Sequence, residues 1–358
     1  MVAVEQQVER AAAPVGSVTV RFVDPLDDPG WDKKIAQFGC ATLFHSAAWC
    51  RVLKDTYALR PLYAVAEKES VLSGVLPVME ANNLPRGRRG VSLPFTDECC
   101  ALGGDAQVID QMTGAVMESG RRRAWNYAEF RGTPVAEATA ALSFYTHRLE
   151  LGSVDKILRR FDSSVQRAIR KAERGGVTVE MSNTIEAVRA FYGLHERTRR
   201  KHGVPPQPFT FFANIQRHVL EAGRGFVVLA RVADRVIAAA MFFHFGDRAI
   251  YKFGASDDRF QHLRANNLVF WKAIRAFAES GAGELDFGRT SVGNEGLRRF
   301  KLGWGSAESR IDYFKFDFRS DRFAKDCDRA SGWHTRVFNV LPGPICRWAG
   351  AMLYRRLA

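Results

Sequence analysis

The sequence predicts an α/β protein of two similar lobes, and three observations carry that reading. The stretch from Asn183 to Phe318 runs helix, helix, hairpin, strand, helix, strand, an order that belongs to mixed α/β architecture. Leu62 to Glu80 laid over Val227 to Phe245 aligns without a gap as strand, charged turn and strand, with an amphipathic helix ahead of each. Only Val71 and Val236 coincide there, so an old duplication and two similar hairpins both stay open. The 358 residues are 46% hydrophobic and 25% charged. That excludes a collagen-like, low-complexity or wholly disordered chain and leaves length for about two domains.

Residues 1–16 read as a frayed, disordered tail. The first lobe, 17–150, opens with SVTVRFV, which alternates as a half-buried strand does. Leu43 to Tyr57 reads as a helix with Ser46 at its start, where a hydroxyl can accept an orphan N–H. Arg60 to Ala81 holds two apolar runs split at Glu67 to Ser70, the pattern of a hairpin. Pro and Gly clusters at Leu84 to Gly90 and Leu93 to Gly104 read as loops, and MTGAVMESGRRR with NYAEFRG adds a helix and a strand.

The second lobe, 151–320, follows a strand-like FYTHRLEL. Ile157, Phe161, Val165 and Ile169 fall at i, i+4, i+8 and i+12, predicting one helix over 154–174 closed by Gly175 and Gly176. Asn183 with Glu186 has capping-box spacing and predicts the start of the next helix. A helix from Phe211 to Ala222 then precedes the strands GFVVLARV, RVIAAAMFFHF and RAIYKFGAS. The helix NNLVFWKAIRAFAESG and the strands ELDFG and SRIDYFKFDF complete the lobe, and 321–358 forms a basic tail.

The net charge of +13 is lopsided. Residues 1–150 hold 16 of the 52 basic and 18 of the 39 acidic side chains, leaving 36 and 21, a balance of +15, in the rest. Such an excess points to an anionic partner such as phosphate, nucleic acid or an acidic membrane surface, with a merely soluble basic domain as the alternative. Glu5 and Glu9 interrupt the opening residues, unlike a secretory signal, and the densest apolar run, Val236 to Phe243, falls far short of the ~20 residues of a membrane helix. Cys40, Cys50, Cys99, Cys100, Cys327 and Cys346 follow no metal-ligand spacing. The expectation is therefore reduced thiols in a cytoplasmic protein that uses no metal and no cofactor.

Candidate chemistry concentrates in the second lobe. Arg160, Ser164, Arg167 and Lys171 share one helical face by their spacing, able to hold several phosphate oxygens or simply to meet solvent. TRRKHGVPPQP sets Arg199, Arg200, Lys201 and His202 ahead of Pro205, Pro206 and Pro208, a basic cluster on a stiff turn suited to a substrate rim. His202 can equally be a cation at a helix C-terminus. Tyr251 at one strand end, and Asp286 with Arg289 past the next, occupy the places where α/β folds put ligands. Glu295, Arg298, Arg299 and Lys301 crowd the following stretch beside aromatic residues, as a phosphate-bearing substrate would require. No Ser/His/Asp order, Cys/His pair, P-loop or Rossmann glycine fingerprint stands out.

Several separated motifs occur in one order: FHSAAWCRVL, SVQRAIRKAERGGV, TRRKHGVPPQP, the Tyr251–Gly254–Ala255–Ser256 strand end, Asp286–Phe287–Gly288, and Arg299–Phe300–Lys301–Leu302–Gly303–Trp304–Gly305. Together they resemble the FemAB family over about residues 40–318, and most of all its branch that accompanies PEP-CTERM and exosortase loci in exopolysaccharide-producing bacteria. The resemblance implies two tandem lobes of the GNAT (acyl-CoA N-acyltransferase) fold with a substrate cleft between them. It also implies transfer of an acyl or aminoacyl group to an amine of a peptidoglycan-like or exopolysaccharide precursor carried on lipid phosphate. By similarity to the family's Phe-Lys motif, Lys301 and Arg289 are expected to serve a phosphate or the oxyanion. Asp286 or Glu295 is the expected proton acceptor, with Tyr251 and Asn266 positioning substrate. Arg167, Lys171, Arg199, His202, Arg264 and Arg299 are expected to bind its anionic groups.

Aminoacyl-tRNA and acyl-CoA are the candidate donors. GNAT enzymes hold pyrophosphate with a Q/R-x-x-G-x-G/A loop, and here QHLRAN (261–266) sets Arg264 and Asn266 where the small residues belong. That obstructs backbone approach to a pyrophosphate and weighs against CoA. A catalytically silent module for anionic polysaccharide or RNA is the reading from another class, and DNA fits least. Residues 333–358 carry Arg336, Arg347, Arg355 and Arg356, no acid, and apolar Ile345, Trp348, Ala349, Met352 and Leu353 at three- and four-residue steps. Two readings fit this tail: a basic amphipathic helix on the anionic inner face of the membrane, or a C-terminal helix docked on the body.

Overall fold

A computed structural model of the chain describes residues 18–83, 87–326 and 343–357. The expected tail at 1–16 lies outside them, as do Cys327 and the tail segment 333–342. The two lobes follow similar orders of elements. In the first, strand Val18–Val23 precedes helix Ala47–Tyr57, strands Tyr63–Lys68, Val71–Leu76, Met79–Asn83 and Gly87–Val91, helix Ala106–Arg122 and strand Tyr127–Arg131. The second has strand Thr178–Ser182, helices Ile185–Lys201 and Phe209–Ile215, strands Gly225–Val232, Arg235–Phe245 and Arg248–Ser256, helix Ala265–Glu279 and strand Glu284–Asp286. In the first-lobe hairpin Glu69 and Ser70 take positive φ of 51° and 65°, the twist a two-residue turn between paired strands needs. Pro77 has no N–H for the ladder and splits the next strand, so that Val71–Leu76 and Met79–Asn83 join different sheets.

Each lobe holds one parallel pair, Gly87–Val91 beside Tyr127–Arg131 and Arg248–Ser256 beside Glu284–Asp286. Each then sends a strand to the other. Leu142–Glu150 pairs with Glu284–Asp286, Ala307–Asp317 pairs with Tyr127–Arg131, and these exchanged strands pair with one another. One sheet therefore runs unbroken through both lobes. Beneath it, Trp49 of the first lobe packs on Phe211 and Phe243 of the second at ring distances of 6.0 and 6.1 Å, inside a single buried cluster drawn from both. A shared core of this kind leaves the lobes rigidly joined rather than hinged.

Ser46 starts the first long helix as expected, its hydroxyl accepting from the Trp49 N–H at 3.2 Å, while Leu43–His45 ahead of it form a separate 3-10 turn. Two other helix expectations need correction. The segment 154–174 is two helices, Val154–Arg160 and Ser163–Arg174. Phe161 is extended between them and drives its ring against Trp304 and Trp271, at 4.9 and 5.6 Å, while the Asp162 N–H leaves the helix for the Gly303 carbonyl at 2.9 Å. The break turns Arg160 to Glu150, away from Arg167 and Lys171. Thr184, not Asn183, caps the next helix, accepting from the Ala187 N–H at 3.3 Å, because the Asn183 amide is engaged with the Leu220 carbonyl at 3.5 Å.

Helix Gly343–Leu357 docks on the body. Its backbone at Gly350 lies directly on Pro206, leaving no room for a side chain. Arg347 pairs with Glu196 at 3.2 Å, and Tyr354 packs on Phe95 of the first lobe while accepting from Arg199 of the second at 2.7 Å. No described helix is long and apolar enough to cross a membrane. Among the described residues, Cys40, Cys50, Cys99 and Cys100 are free thiols, and no group of three or more His, Cys, Asp and Glu side chains is placed to hold a metal.

Candidate active site

The loop Leu93–Cys99 of the first lobe reaches into the cleft and is pinned from several sides. Arg131, itself bonded to Glu129 at 2.7 Å, donates to the carbonyls of Leu93 and Thr96, each at 3.1 Å. Ser92 donates to the Cys99 carbonyl at 2.8 Å. His45, kept neutral by burial that lowers it to about 4, accepts the Thr42 N–H at Nδ1 and so donates from Nε2 to the Cys100 carbonyl at 2.9 Å. Tyr313, on an exchanged strand, donates its hydroxyl to the Asp97 carbonyl.

So held, the Asp97 carboxylate faces the second lobe, with Lys252 Nζ 3.0 Å from Oδ2 and Arg289 Nε 3.7 Å from Oδ1. Lys252 arrives there through a β-bulge: Met241 pairs with Phe253 and Phe242 with Tyr251, leaving Lys252 as the extra residue. Burial alone would raise the Asp97 carboxyl, but the charges of Lys252 and Arg289 outweigh it and hold it below the usual carboxylate range. Burial lowers the Lys252 ammonium in spite of Asp97.

Across the cleft the chain leaves strand Glu284–Asp286 through Phe287, Gly288 and Arg289. Gly288 has φ of 70°, and a Cβ there would stand 2.8 Å from Asp97 Oδ2, so both the backbone and the close approach require glycine. Lys301, on helix Glu295–Leu302, is 2% exposed and donates to the Gly288 and Arg289 carbonyls at 2.6 and 3.0 Å. Burial pushes its ammonium down to about 8. Asp286 Oδ1 accepts from the Thr146 hydroxyl at 3.1 Å and the Gly288 N–H at 2.7 Å, with Arg148 Nε 3.9 Å from Oδ2. Burial raises the Asp286 carboxyl, and Arg148 offsets this only in part. Arg289 lies 4.4 Å from the Phe144 ring and donates to the Tyr313 hydroxyl at 3.1 Å.

Asp97 forms a wall common to two cavities. The smaller, of about 230 Å³, sets Asp97, Glu98, Glu284 and Asp286 against Arg148 and Arg248 over an apolar floor that includes Phe44. Its carboxylates outnumber its cations, so it favours an ammonium. The larger, of about 590 Å³, carries Arg131, Arg199, Lys252 and Arg289 with Asp97 as its acid, and favours an anion. A third cavity, of about 610 Å³ on the outside of the second lobe, gathers Arg167, Lys171, Arg264 and Arg299 with Asp162. Arg264 enters it in left-handed backbone (φ 59°) at the start of helix Ala265–Glu279. Asn266 donates to the Ser256 hydroxyl at 3.3 Å and lines a small adjoining space that shares Arg264.

Of the residues expected from sequence, Asp286, Lys301, Arg289, Arg199 and His202 thus gather at the cleft. Arg167, Lys171, Arg264 and Arg299, with Asn266 beside them, gather at the outer cavity. Tyr251 and Glu295 join neither. The bulge that delivers Lys252 leaves Tyr251 packed on Phe242 and Phe270, at 5.5 and 4.6 Å. Glu295 is exposed at the first turn of its helix, where a carboxylate complements the dipole. Sequence reasoning missed Asp97, Lys252, Arg131 and Arg148; the adjacent acids Asp97 and Glu98 in an apolar, Pro-bearing loop were the available signal.

Residues 159–308 match the family model described as an acetyltransferase (GNAT) domain. Among solved structures the chain is similar to FemX, with 15% identity, 82% of this chain and 96% of that chain covered, and a TM-score of 0.64. It is also similar to L-PGS from Bacillus licheniformis (10% identity, 92% and 96% covered, TM-score 0.53). A tandem GNAT protein from the clavulanic acid biosynthesis pathway matches as well (9% identity, 84% and 98% covered, TM-score 0.53). No curated protein matches the chain at a significant level. The fold is the tandem GNAT fold, two lobes over a cleft.

Proposed function

We propose that this chain transfers an acyl or aminoacyl group from an activated ester or thioester to an amine, as a FemAB-type enzyme of the GNAT fold. The observation that carries the reading is the position of Asp97 between a cavity that attracts an ammonium and one that attracts an anion. An amine-bearing acceptor and a phosphate-bearing group can meet at that carboxylate. Attack on the carbonyl then needs alignment, a proton acceptor and positive charge for the oxyanion; collapse of the tetrahedral adduct breaks the donor's ester or thioester bond and releases its alcohol or thiol, which carries the proton away. Asp286, its carboxyl raised by burial, takes the amine's proton. Arg289 supplies charge to the oxyanion or a phosphate, and Lys301 fixes the Gly288–Arg289 backbone while adding its own. Arg131, Arg199 and Lys252, with His202 at the rim, hold the phosphate of the acceptor.

The outer cavity with Arg167, Lys171, Arg264 and Arg299 suits the phosphates of the donor, and its density of positive charge favours aminoacyl-tRNA over acyl-CoA. The resemblance to the PEP-CTERM-associated branch favours an exopolysaccharide or other envelope precursor on lipid phosphate as acceptor. The test is to incubate the protein with labelled aminoacyl-tRNA or acyl-CoA and a lipid-phosphate-linked amine. Label on the amine supports the reading. No turnover with either donor, alongside tight salt-sensitive binding of polyanions, replaces it with a non-catalytic module.

A further inference from the structure

We infer that the outer face of the docked C-terminal helix is a contact surface for an anionic lipid bilayer, and that the contact holds the mouth of the cleft at the membrane. In helix Gly343–Leu357 the buried residues Cys346, Gly350 and Tyr354 recur every four positions and face the body. Met352 and Leu353, by contrast, are 47% and 36% exposed. The same segment carries Arg347, Arg355 and Arg356 and no acid. Exposed apolar side chains in a segment that carries arginines and no acid match a surface of anionic headgroups over an acyl boundary.

The helix is firmly seated. Gly350 lies on Pro206, Arg347 pairs with Glu196, and Tyr354 is clasped between Phe95 and Arg199. Tyr354 also lines the 590 Å³ cavity of the cleft. A bilayer on the outer face therefore stands about one helix diameter, ~10 Å, from the cavity wall. At that distance a headgroup-borne amine reaches the cleft without leaving the membrane. This consequence rests on the proposed transfer reaction, whereas the membrane contact itself does not.

Cosedimentation of the full chain with vesicles of equal parts phosphatidylglycerol and phosphatidylcholine, against phosphatidylcholine alone, tests the contact. Binding to the anionic vesicles alone, falling as salt is raised, is the expected result. Arg355→Glu with Arg356→Glu should lower the partition coefficient at least about thirtyfold, five- to sixfold for each positive charge lost, with the two added negative charges lowering it further. Met352→Asp with Leu353→Asp should lower it at least about tenfold. Val71→Asp, at an exposed apolar site in the first-lobe hairpin, should leave it unchanged. Wild-type protein that binds neither vesicle or both alike overturns the inference, as does either double variant binding like wild type with an unchanged melting temperature. Transfer to a water-soluble amine without vesicles tests the chemistry separately, so failure of one is distinguishable from failure of the other.

Discussion

Lys252 Nζ lies 3.0 Å from Asp97 Oδ2, joining a bulged strand of the second lobe to a pinned loop of the first. The lysine side chain is 6% exposed and the aspartate 23%. Desolvating such a pair costs roughly what its attraction returns, so stability alone does not account for it. It does keep one charge of each sign at a fixed point between the two central cavities, where the proposed transfer would use both.

Replacing Asp97 by Asn leaves the Lys252 charge buried without its partner. The expected loss is about 3 kcal/mol of folding stability, with part of it recovered in the double variant Asp97→Asn, Lys252→Met. Urea unfolding of the four proteins in the cycle checks this, and a single variant as stable as wild type would contradict it.

Lys301 carries a pH signature. Its ammonium titrates at about 8 in the folded protein, against 10.5 for an ordinary lysine. Between those values the unfolded chain holds the proton more tightly, so this residue makes stability rise with pH across that window. Activity that depends on the charged form falls over the same rise. The pH profile of kcat should show an alkaline limb near 8 that Lys301→Arg removes, and Lys301→Met should flatten the stability rise.

The outer cavity is tested by charge reversal. Arg264 and Arg299 are exposed, so Arg264→Glu with Arg299→Glu should leave the melting temperature within a degree or two. The KM for a phosphate-rich donor should rise at least about tenfold at 0.1 M salt with kcat unchanged, and the salt dependence of donor binding should weaken. Donor kinetics at two salt concentrations decide it.

Phe161 holds the break between the two helices that lead into that cavity. Phe161→Ala removes a ring packed on Trp304 and Trp271 and should cost about 3–5 kcal/mol. Thermal or urea unfolding measures the loss.

Much of the fold is legible because strands and helices announce themselves by period. The paired hairpins align across 165 positions and hold equivalent places in the two lobes. The break at Phe161 was hidden by the same logic. Phe161 falls on the buried stripe whether or not the helix continues, so periodicity cannot report the turn. Arg289 and Lys301 were readable as a dense basic stretch near a strand end. Asp97 was not, since its role comes from a loop of one lobe meeting a bulge of the other 155 residues away. Nor could Arg148 be found from spacing: it reaches Asp286 only because its strand crosses between the lobes. Local pattern reports which face of an element is buried, and long-range juxtaposition decides what shares a cleft with it.

In the proposed reaction the amine attacks between Asp97 and Asp286, and Asp286 takes the proton. Steady-state kinetics of Asp286→Asn with the preferred donor and a lipid-phosphate-linked amine test it most directly. The expected result is a kcat lowered at least about a hundredfold, with donor KM within about twofold and an unchanged melting temperature. A variant that turns over like wild type would contradict it.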